Sequence, residues 1–147
     1  MPINGSSANK IVGFTCSCFD LFHAGHVAML EEVSKHCDHL IVGLQIDPTI
    51  DRPEKNKPVQ TLIERQIQVR GCKYVDEIIV YETEKDLKTI LKTLPIDVRF
   101  VGQEYALEGF TGQKICKKKR IKILYNTRMH DFSSSELRKR IKDAKQI

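Results

Sequence analysis

The sequence predicts an α/β protein in which a parallel β-sheet carries helices on both faces. Short apolar runs that suit buried strands alternate along the chain with amphipathic runs that suit helices. No internal repeat interrupts this alternation. The 147 residues can bury one core and leave little room for a second. We therefore expect a single domain over residues 1–147, with residues 1–9 flexible.

Each element of this fold follows from a local pattern. The first strand, residues 11–16, is apolar and β-branched, and the helix after it carries Val27, Leu30 and Val33 at helical spacing. Strands are predicted at 11–16, 40–45, 77–80, 98–101 and 121–124. Helices are predicted at 24–35, 60–71, 85–94, 112–118 and 134–142. Parallel sheets bind ligands at the carboxyl ends of their strands, where the strand order reverses.

The turn between the first strand and the first helix predicts a phosphate site. It would aim the imidazoles of His23 and His26 and the free N–H groups of the helix start at one point. Gly25 lets the backbone come close to the ligand. In the alternative interpretation, His23 only caps the helix and His26 is packed in the core.

A second candidate phosphate site opens the last helix. Ser133 and Glu136 have the spacing of a capping box, and hydroxyls beside unpaired N–H groups can cradle a phosphate. Arg128, five residues before the first of these serines, offers a planar charged fork for the same phosphates.

Residues 47–58 predict a mobile loop at the same edge of the sheet. The segment holds three prolines and several charges and has no periodicity. Lys55 and Lys57 lie in it, and solvated lysines that keep a loop soluble are the alternative to a substrate role.

Charge and composition exclude several classes of protein. No apolar run is long enough to cross a bilayer, and the polar N-terminus does not resemble a signal peptide. We therefore expect a cytoplasmic protein that does not bind a membrane. The net charge is +5, but no aromatic residues interleave with the densest basic run, 117–120. Small anionic substrates explain this charge, and we expect no nucleic acid.

The cysteines and histidines do not predict a metal site. The five cysteines are an odd number without secretory context, which favours reduced thiols. No C-x-x-C motif occurs, and strand alternation would put Cys16 and Cys18 on one face with nothing to complete a tetrahedral set. Buried, reduced thiols explain these cysteines better than a metal site does.

The two candidate sites together resemble a known family. Residues 17–26 resemble the (G)-x-F-D-x-x-H-x-G-H signature of the cytidylyltransferase-like nucleotidyltransferases, and residues 128–135 resemble their R-x-x-G-I-S-T/S-T/S signature. The resemblance covers residues 11–140 and implies a Rossmann-like sheet. The short chain is most similar to the glycerol-3-phosphate cytidylyltransferases within this family.

The resemblance implies a reaction and a set of roles. CMP would pass from CTP to glycerol 3-phosphate, giving CDP-glycerol and pyrophosphate, with substrate-bound Mg²⁺, in a homodimer. The implied catalytic residues are His23, His26, Lys57 and Arg128. The nucleotide would also contact Cys18, Phe19, Phe132, Ser133, Ser134 and Ser135. The implied substrate-binding residues are Lys55, Asp20, Arg65 and Lys73. For Arg65 and Lys73, two alternatives remain, which are support of the site from behind the substrate contacts and a salt-bridged surface. The loop 102–112 would hold the nucleotide base or the dimer.

Three residues depart from the family pattern. Ser17 and Asp131 stand where glycines are usual, and Cys18 stands where threonine is frequent. Ser17 adds a Cβ near the phosphates and Asp131 adds negative charge. Two alternatives therefore remain beside the first reaction. One is an adenylyltransferase of the same superfamily or a cytidylyltransferase for another phosphorylated alcohol, and the other is a non-catalytic nucleotide-binding protein.

Overall fold

The computed structural model describes residues 10–127 and 132–144 and has a central parallel sheet. Within these residues the strands are β1 (Val12–Ser17), β2 (His39–Gln45), β3 (Glu77–Tyr81), β4 (Val98–Gly102) and β5 (Lys122–Asn126). Their order is β3-β2-β1-β4-β5, and every neighbouring pair is parallel. The chain runs outward from β1 to β3 and then returns to the other side of β1. The order therefore reverses between β1 and β4, where a ligand crevice is expected.

Helices follow the strands as the sequence predicts. They are α1 (Ala24–Ser34), α2 (Leu62–Arg70), α3 (Glu84–Thr93), α4 (Tyr105–Glu108), α5 (Gln113–Lys119) and α6 (Ser134–Asp143). Helix α2 begins two residues later than predicted because Thr61 caps it. The Thr61 hydroxyl accepts a hydrogen bond from Glu64 N, and the Glu64 carboxylate accepts one from Thr61 N. The α/β prediction is confirmed.

Two short helices occur where the sequence predicts only loops. One is α4, and the other is a 3₁₀ helix over Pro48–Ile50. Asp47 caps the 3₁₀ helix by accepting a hydrogen bond from Thr49 N, and Pro48 suits its first position. Elements of three or four residues are too short to show a periodic pattern, so the sequence does not predict them.

The core consists of one apolar cluster on each face of the sheet. Leu30 and Val33 of α1 pack with Val69 of α2 on one face. On the other face, the buried side chains include Leu87 of α3 and Cys116 of α5. This division follows from strand alternation, which points successive side chains to opposite faces. Both faces are thus covered by helices, and the functional residues are left at the strand ends.

Within the described part of the chain, none of the helices has the length and apolar character needed to cross a membrane. The flexibility predicted for residues 1–9 concerns a segment outside the described residues.

Candidate active site

The turn after β1 adopts an unusual backbone conformation. Phe19 and Leu21 have positive φ angles of 50° and 51°. Such a conformation costs a non-glycine residue about 1–3 kcal/mol and persists only where the surroundings stabilise it. Phe19 is 1% exposed and belongs to the core, so its side chain does not contact a nucleotide as predicted. Burial of Phe19 instead anchors the turn.

His23 and His26 form a stacked pair at the start of α1. Their ring centroids are 3.9 Å apart. His23 Nδ1 accepts a hydrogen bond from Gly25 N at 3.0 Å, and His26 Nδ1 accepts one from His23 N at 3.2 Å. With Nδ1 acting as an acceptor, a neutral imidazole carries its proton on Nε2. Both rings are therefore fixed as Nε2–H donors, and His23 is a helix cap as well.

His26 stays neutral at physiological pH. Phe22 stacks on its ring at a centroid distance of 5.4 Å, and Phe19 lies at 5.3 Å. Burial among these rings, together with the neighbouring His23, lowers the pKa of His26 from 6.5 to about 4. His26 can therefore donate a hydrogen bond to a phosphate oxygen without gaining a proton.

The start of α6 meets the start of α1. Ser133 caps α6 by accepting a hydrogen bond from Glu136 N at 3.0 Å, which is one half of the predicted capping box. Ser134 Oγ lies 3.2 Å from His23 Nε2 and donates to the carbonyl oxygen of Asp20 at 3.3 Å. Ser135 is exposed in the first turn of α6. The N-termini of α1 and α6 thus meet through His23 and Ser134, an arrangement that suits a polyphosphate.

Gly25 makes this approach possible. A Cβ on Gly25 would lie 2.9 Å from the His23 ring and 3.0 Å from Cβ of Phe132, which is half-exposed. Gly25 therefore allows α6 to pack against α1, as well as leaving its own N–H open to the His23 ring.

Asp20 has a supporting role rather than the predicted contact with substrate. Its side chain is buried, and its carboxylate accepts hydrogen bonds from Val59 N at 2.8 Å and Gln60 N at 2.9 Å. It also pairs with Arg138 of α6 at 3.1 Å. Asp20 thereby joins the turn after β1, the segment before α2 and helix α6.

Arg65 also supports the site from inside the protein. It is 2% exposed and donates to the carbonyl oxygens of Cys18, Gln45, Ile46 and Gln60. These bonds hold the carboxyl ends of β1 and β2 together. The prediction of a substrate contact is corrected, because the guanidinium is enclosed by backbone.

Lys73 lies away from the site. It is exposed, and its ammonium group lies 5.3 Å from the Tyr74 ring, four residues before β3 begins. In a parallel sheet, that position is at the amino edge, opposite the strand ends that hold the histidines. The predicted substrate role of Lys73 is therefore wrong.

Of the two loop lysines, one lines a cavity at the strand ends, and the other pairs with Asp47, two residues beyond the end of β2. Lys55 lines a cavity of about 430 Å³ there, together with Ser17 and Cys18. Lys57 is exposed and lies 4.0 Å from Asp47. Arg128 and Asp131 lie outside the described residues.

Sequence reasoning missed several residues of this cavity. Arg52, Glu84 and Arg99 line it, and Arg52 forms an ion pair with Glu84. Asn126, at the end of β5, also lines the cavity. Arg99 did leave a signal in the sequence, because it is a charged residue within the otherwise apolar strand 98–101.

The described residues contain no cluster of three or more His, Cys, Asp or Glu side chains placed to hold a metal ion. The thiol of Cys18 lies 3.5 Å from the Arg65 guanidinium, and burial raises its pKa. At neutral pH the Cys18 thiol is therefore protonated and is not a nucleophile.

Comparisons with known proteins identify the family of this chain. Residues 14–140 match a family model described as cytidylyltransferase-like. The bifunctional protein HldE of Nitrobacter winogradskyi is 32% identical over 130 residues, which are 88% of this chain and 26% of that protein. The HldE of Campylobacter concisus is 32% identical over 148 residues, which cover 97% of this chain and 29% of that protein. The chain thus spans about a quarter of the length of these relatives.

Two solved structures share the fold. A lipopolysaccharide core biosynthesis protein from Thermoplasma volcanium has a TM-score of 0.61 and 24% identity, with 85% of this chain and all of that chain covered. The pantothenate synthetase of Thermus thermophilus has a TM-score of 0.57 and 10% identity, with 88% of this chain and 64% of that chain covered. At these identities the likeness concerns the fold alone.

Proposed function

Because the chain belongs to the cytidylyltransferase-like family, we propose that it transfers a nucleotide from a nucleoside triphosphate to a phosphorylated sugar or alcohol. AMP from ATP is the preferred donor group in this proposal. The similarity to HldE proteins favours an adenylyltransferase for a sugar phosphate, with a heptose phosphate as first candidate. The same similarity gives less support to the reaction predicted from the motifs, which is the transfer of CMP from CTP to glycerol 3-phosphate.

One observation supports a polyphosphate ligand above all others. Ser134 Oγ lies 3.2 Å from His23 Nε2, although 111 residues separate the two. The fold thus unites the two motifs that the sequence singles out separately. Each stands at a helix N-terminus, where backbone N–H groups attract anions.

The proposed reaction is a direct displacement at the α-phosphorus. An oxygen of the acceptor phosphate forms the new P–O bond, and the bond between the α-phosphorus and the bridging oxygen breaks to release pyrophosphate. No residue forms a covalent intermediate, so catalysis consists of positioning and charge stabilisation. His23 and His26 donate hydrogen bonds as charge builds. Arg128 and Lys57 balance the leaving pyrophosphate, and Lys55 holds the acceptor phosphate.

Magnesium belongs to this proposal as part of the nucleotide substrate. It neutralises phosphate charge, and its ligands would be phosphate oxygens and water, as is usual for this ion. The neutral imidazole donors of the site complement the phosphate oxygens that remain. We also propose the homodimer that the family resemblance implies, which sedimentation velocity tests directly.

The second candidate is transfer of CMP from CTP to glycerol 3-phosphate. Arg128 favours it, because this residue precedes the serines at the position expected from the family signature. A third candidate is a non-catalytic nucleotide-binding protein. The departures at Ser17 and Asp131 favour that possibility.

Pyrophosphate release separates these candidates. The assay pairs ATP, CTP, GTP and UTP, each with magnesium, with a heptose phosphate, glycerol 3-phosphate or no acceptor. Release from ATP with the sugar phosphate supports the first candidate. Release confined to CTP with glycerol 3-phosphate supports the second. Nucleotide binding without release from any pair supports the third.

A further inference from the structure

Arg99 is a buried charge in the middle of β4. Its neighbours in the sheet are Phe14 of β1 and Ile123 of β5, and only 5% of its surface is exposed. Helices α3 and α5 supply apolar neighbours on the same face of the sheet. An ion in such surroundings is unfavourable unless other groups compensate its charge.

The hydrogen bonds of Arg99 are incomplete. A guanidinium has five N–H donors. Nη1 donates to the carbonyl oxygen of Thr111, and Nη2 lies 3.6 Å from the Cys16 sulfur, a weak acceptor. Nε is buried and has no hydrogen-bond partner in the described part of the chain. The Phe110 ring covers the group, with its centroid 4.7 Å from Cζ.

Among the described residues, no side chain beside Arg99 supplies its counter-charge. Burial raises the pKa of Cys16, Cys116 and Tyr81, so these three neighbours are neutral at physiological pH. The nearby carboxylate of Glu84 is engaged by Arg52 and by the Thr111 hydroxyl, the latter at 3.1 Å. Arg99 itself forms no ion pair among residues 10–127 and 132–144.

Arg99 lines the cavity at the strand ends. The charged residues that line this cavity are Arg52, Lys55, Arg99, Glu84 and Glu104, three positive and two negative. Since Arg52 and Glu84 neutralise each other and Glu104 is exposed, the inner part of the cavity keeps an excess of positive charge. Lys55 lies on the loop to which we assign the acceptor phosphate, so Arg99 and the acceptor share one cavity.

We propose that Arg99 forms an anion subsite for a second acidic group on the acceptor. This inference rests on the proposed function and narrows its substrate class. The acceptor carries, besides the phosphate that reacts, a carboxylate or a second phosphate. That group enters beneath Phe110 and Thr111 and supplies the negative charge that the described residues do not place beside Arg99.

Arg99 also holds the loop through Thr111, and this structural role needs a separate readout. A residue that only fixes the loop affects all acceptors alike. A subsite affects only acceptors with the second acidic group. The informative quantity is therefore the ratio of two dissociation constants, for compounds that differ by that group.

Two matched pairs of compounds measure this ratio. Glycerol 3-phosphate and 3-phosphoglycerate differ by a carboxylate, and glucose 1-phosphate and glucose 1,6-bisphosphate differ by a phosphate. Isothermal titration of the whole chain, saturated with a non-hydrolysable ATP analogue and magnesium, gives each dissociation constant without turnover. We expect the doubly acidic member of at least one pair to bind about tenfold more tightly or better. The pair that shows the preference identifies the acidic group.

Variants assign the preference to Arg99. Arg99→Met has a similar volume and should bring the ratio close to one. Arg99→Lys keeps the charge and should retain part of the preference. Arg70→Met removes an exposed arginine at the far end of α2 and should leave the ratio unchanged. Circular dichroism verifies the fold of each variant.

Three results would overturn the subsite. They are equal affinities within both pairs for the wild type, a preference that survives in Arg99→Met, and no binding by any of the four compounds. If Arg99→Met does not fold, the ratio of dissociation constants in the wild type and in Arg99→Lys still tests the subsite. A preference that persists while every nucleotide fails to release pyrophosphate would retain the subsite and reject the proposed function.

Discussion

At the scale of single residues, each imidazole of the histidine pair uses its two nitrogens for different tasks. Nδ1 of each ring accepts a backbone hydrogen bond at the start of α1. With Nδ1 as an acceptor, the proton of each neutral ring lies on Nε2. His23 Nε2 is 3.2 Å from Ser134 Oγ, so a phosphate oxygen at His23 would share or replace this contact. A cap and a phosphate ligand are therefore compatible roles for His23, although they are alternatives when the sequence alone is considered.

Replacing His26 with alanine should abolish most of the activity. We expect kcat for pyrophosphate release to fall at least about a hundredfold, because one donor to the developing charge is lost. His39→Ala is the matched control, since His39 pairs with Glu77 at the amino edge of the sheet. A loss below tenfold in a folded His26→Ala protein would contradict the proposed role.

Acid should destabilise the protein through His26. The unfolded state takes up a proton at pH 6.5 but the native ring only at about pH 4, so stability falls as the pH drops through this interval. The loss attributable to His26 reaches about 3 kcal/mol. Urea unfolding of wild type and His26→Asn from pH 7 to pH 4 measures it. A difference between the two that does not change with pH would refute this assignment.

At the scale of elements, the site depends on the attachment of α6 to the turn after β1. Asp20 makes this attachment through Arg138, and its carboxylate also satisfies two N–H groups before α2. The Ser134 hydroxyl adds a bond to the backbone of the same residue. Asp20 thus connects three segments that are remote in sequence.

Asp20→Ala should lower both stability and affinity for the nucleotide. The loss of the acceptor for Val59 N and Gln60 N should reduce the free energy of unfolding by about 2 kcal/mol. Arg138→Met removes only the partly exposed end of the network and should cost less than about 1 kcal/mol. Urea titration gives the stabilities, and the KM for the nucleotide reports the position of α6. Equal stability losses in the two variants would contradict this ranking.

At the scale of the whole molecule, the reversal of strand order places the site between distant parts of the chain. Strand β1 pairs with β2 on one side and β4 on the other. The first turn and the last helix consequently meet over the same strand ends. Nucleotide bound there should stabilise the native state as a whole.

Nucleotide identity should therefore be visible in the melting temperature. A ligand at a hundred times its Kd adds about 2.7 kcal/mol of stability, which raises the Tm of a domain of this size by several degrees. We expect a larger rise with ATP and magnesium than with CTP and magnesium at equal concentration. The reverse order would favour the cytidylyltransferase candidate, and His26→Ala controls for binding outside the site.

The sequence by itself determined the order of strands and helices, because apolar periodicity is a local property. It also located both candidate phosphate motifs, since helix starts have characteristic residues at short spacings. For Gly25 the sequence predicts the close approach of a ligand, and the structure adds that a Cβ there would meet the His23 ring and Phe132.

Only the tertiary structure decided which charged residues are free to meet a ligand. Asp20 and Arg138 are 118 residues apart, and Arg65 bonds to carbonyl groups on two strand ends. Such partners are not visible in local patterns. The family resemblance therefore implies a substrate contact for Asp20, which is a supporting residue in the fold, and leaves the role of Arg65 open between substrate contact and support. Lys73 lies at the amino edge of the sheet, opposite the histidine pair, and Arg99 lines the cavity at the carboxyl ends of the strands. Neither position is visible in a local sequence pattern. The direction of a strand and the face of a side chain are consequences of the assembled sheet.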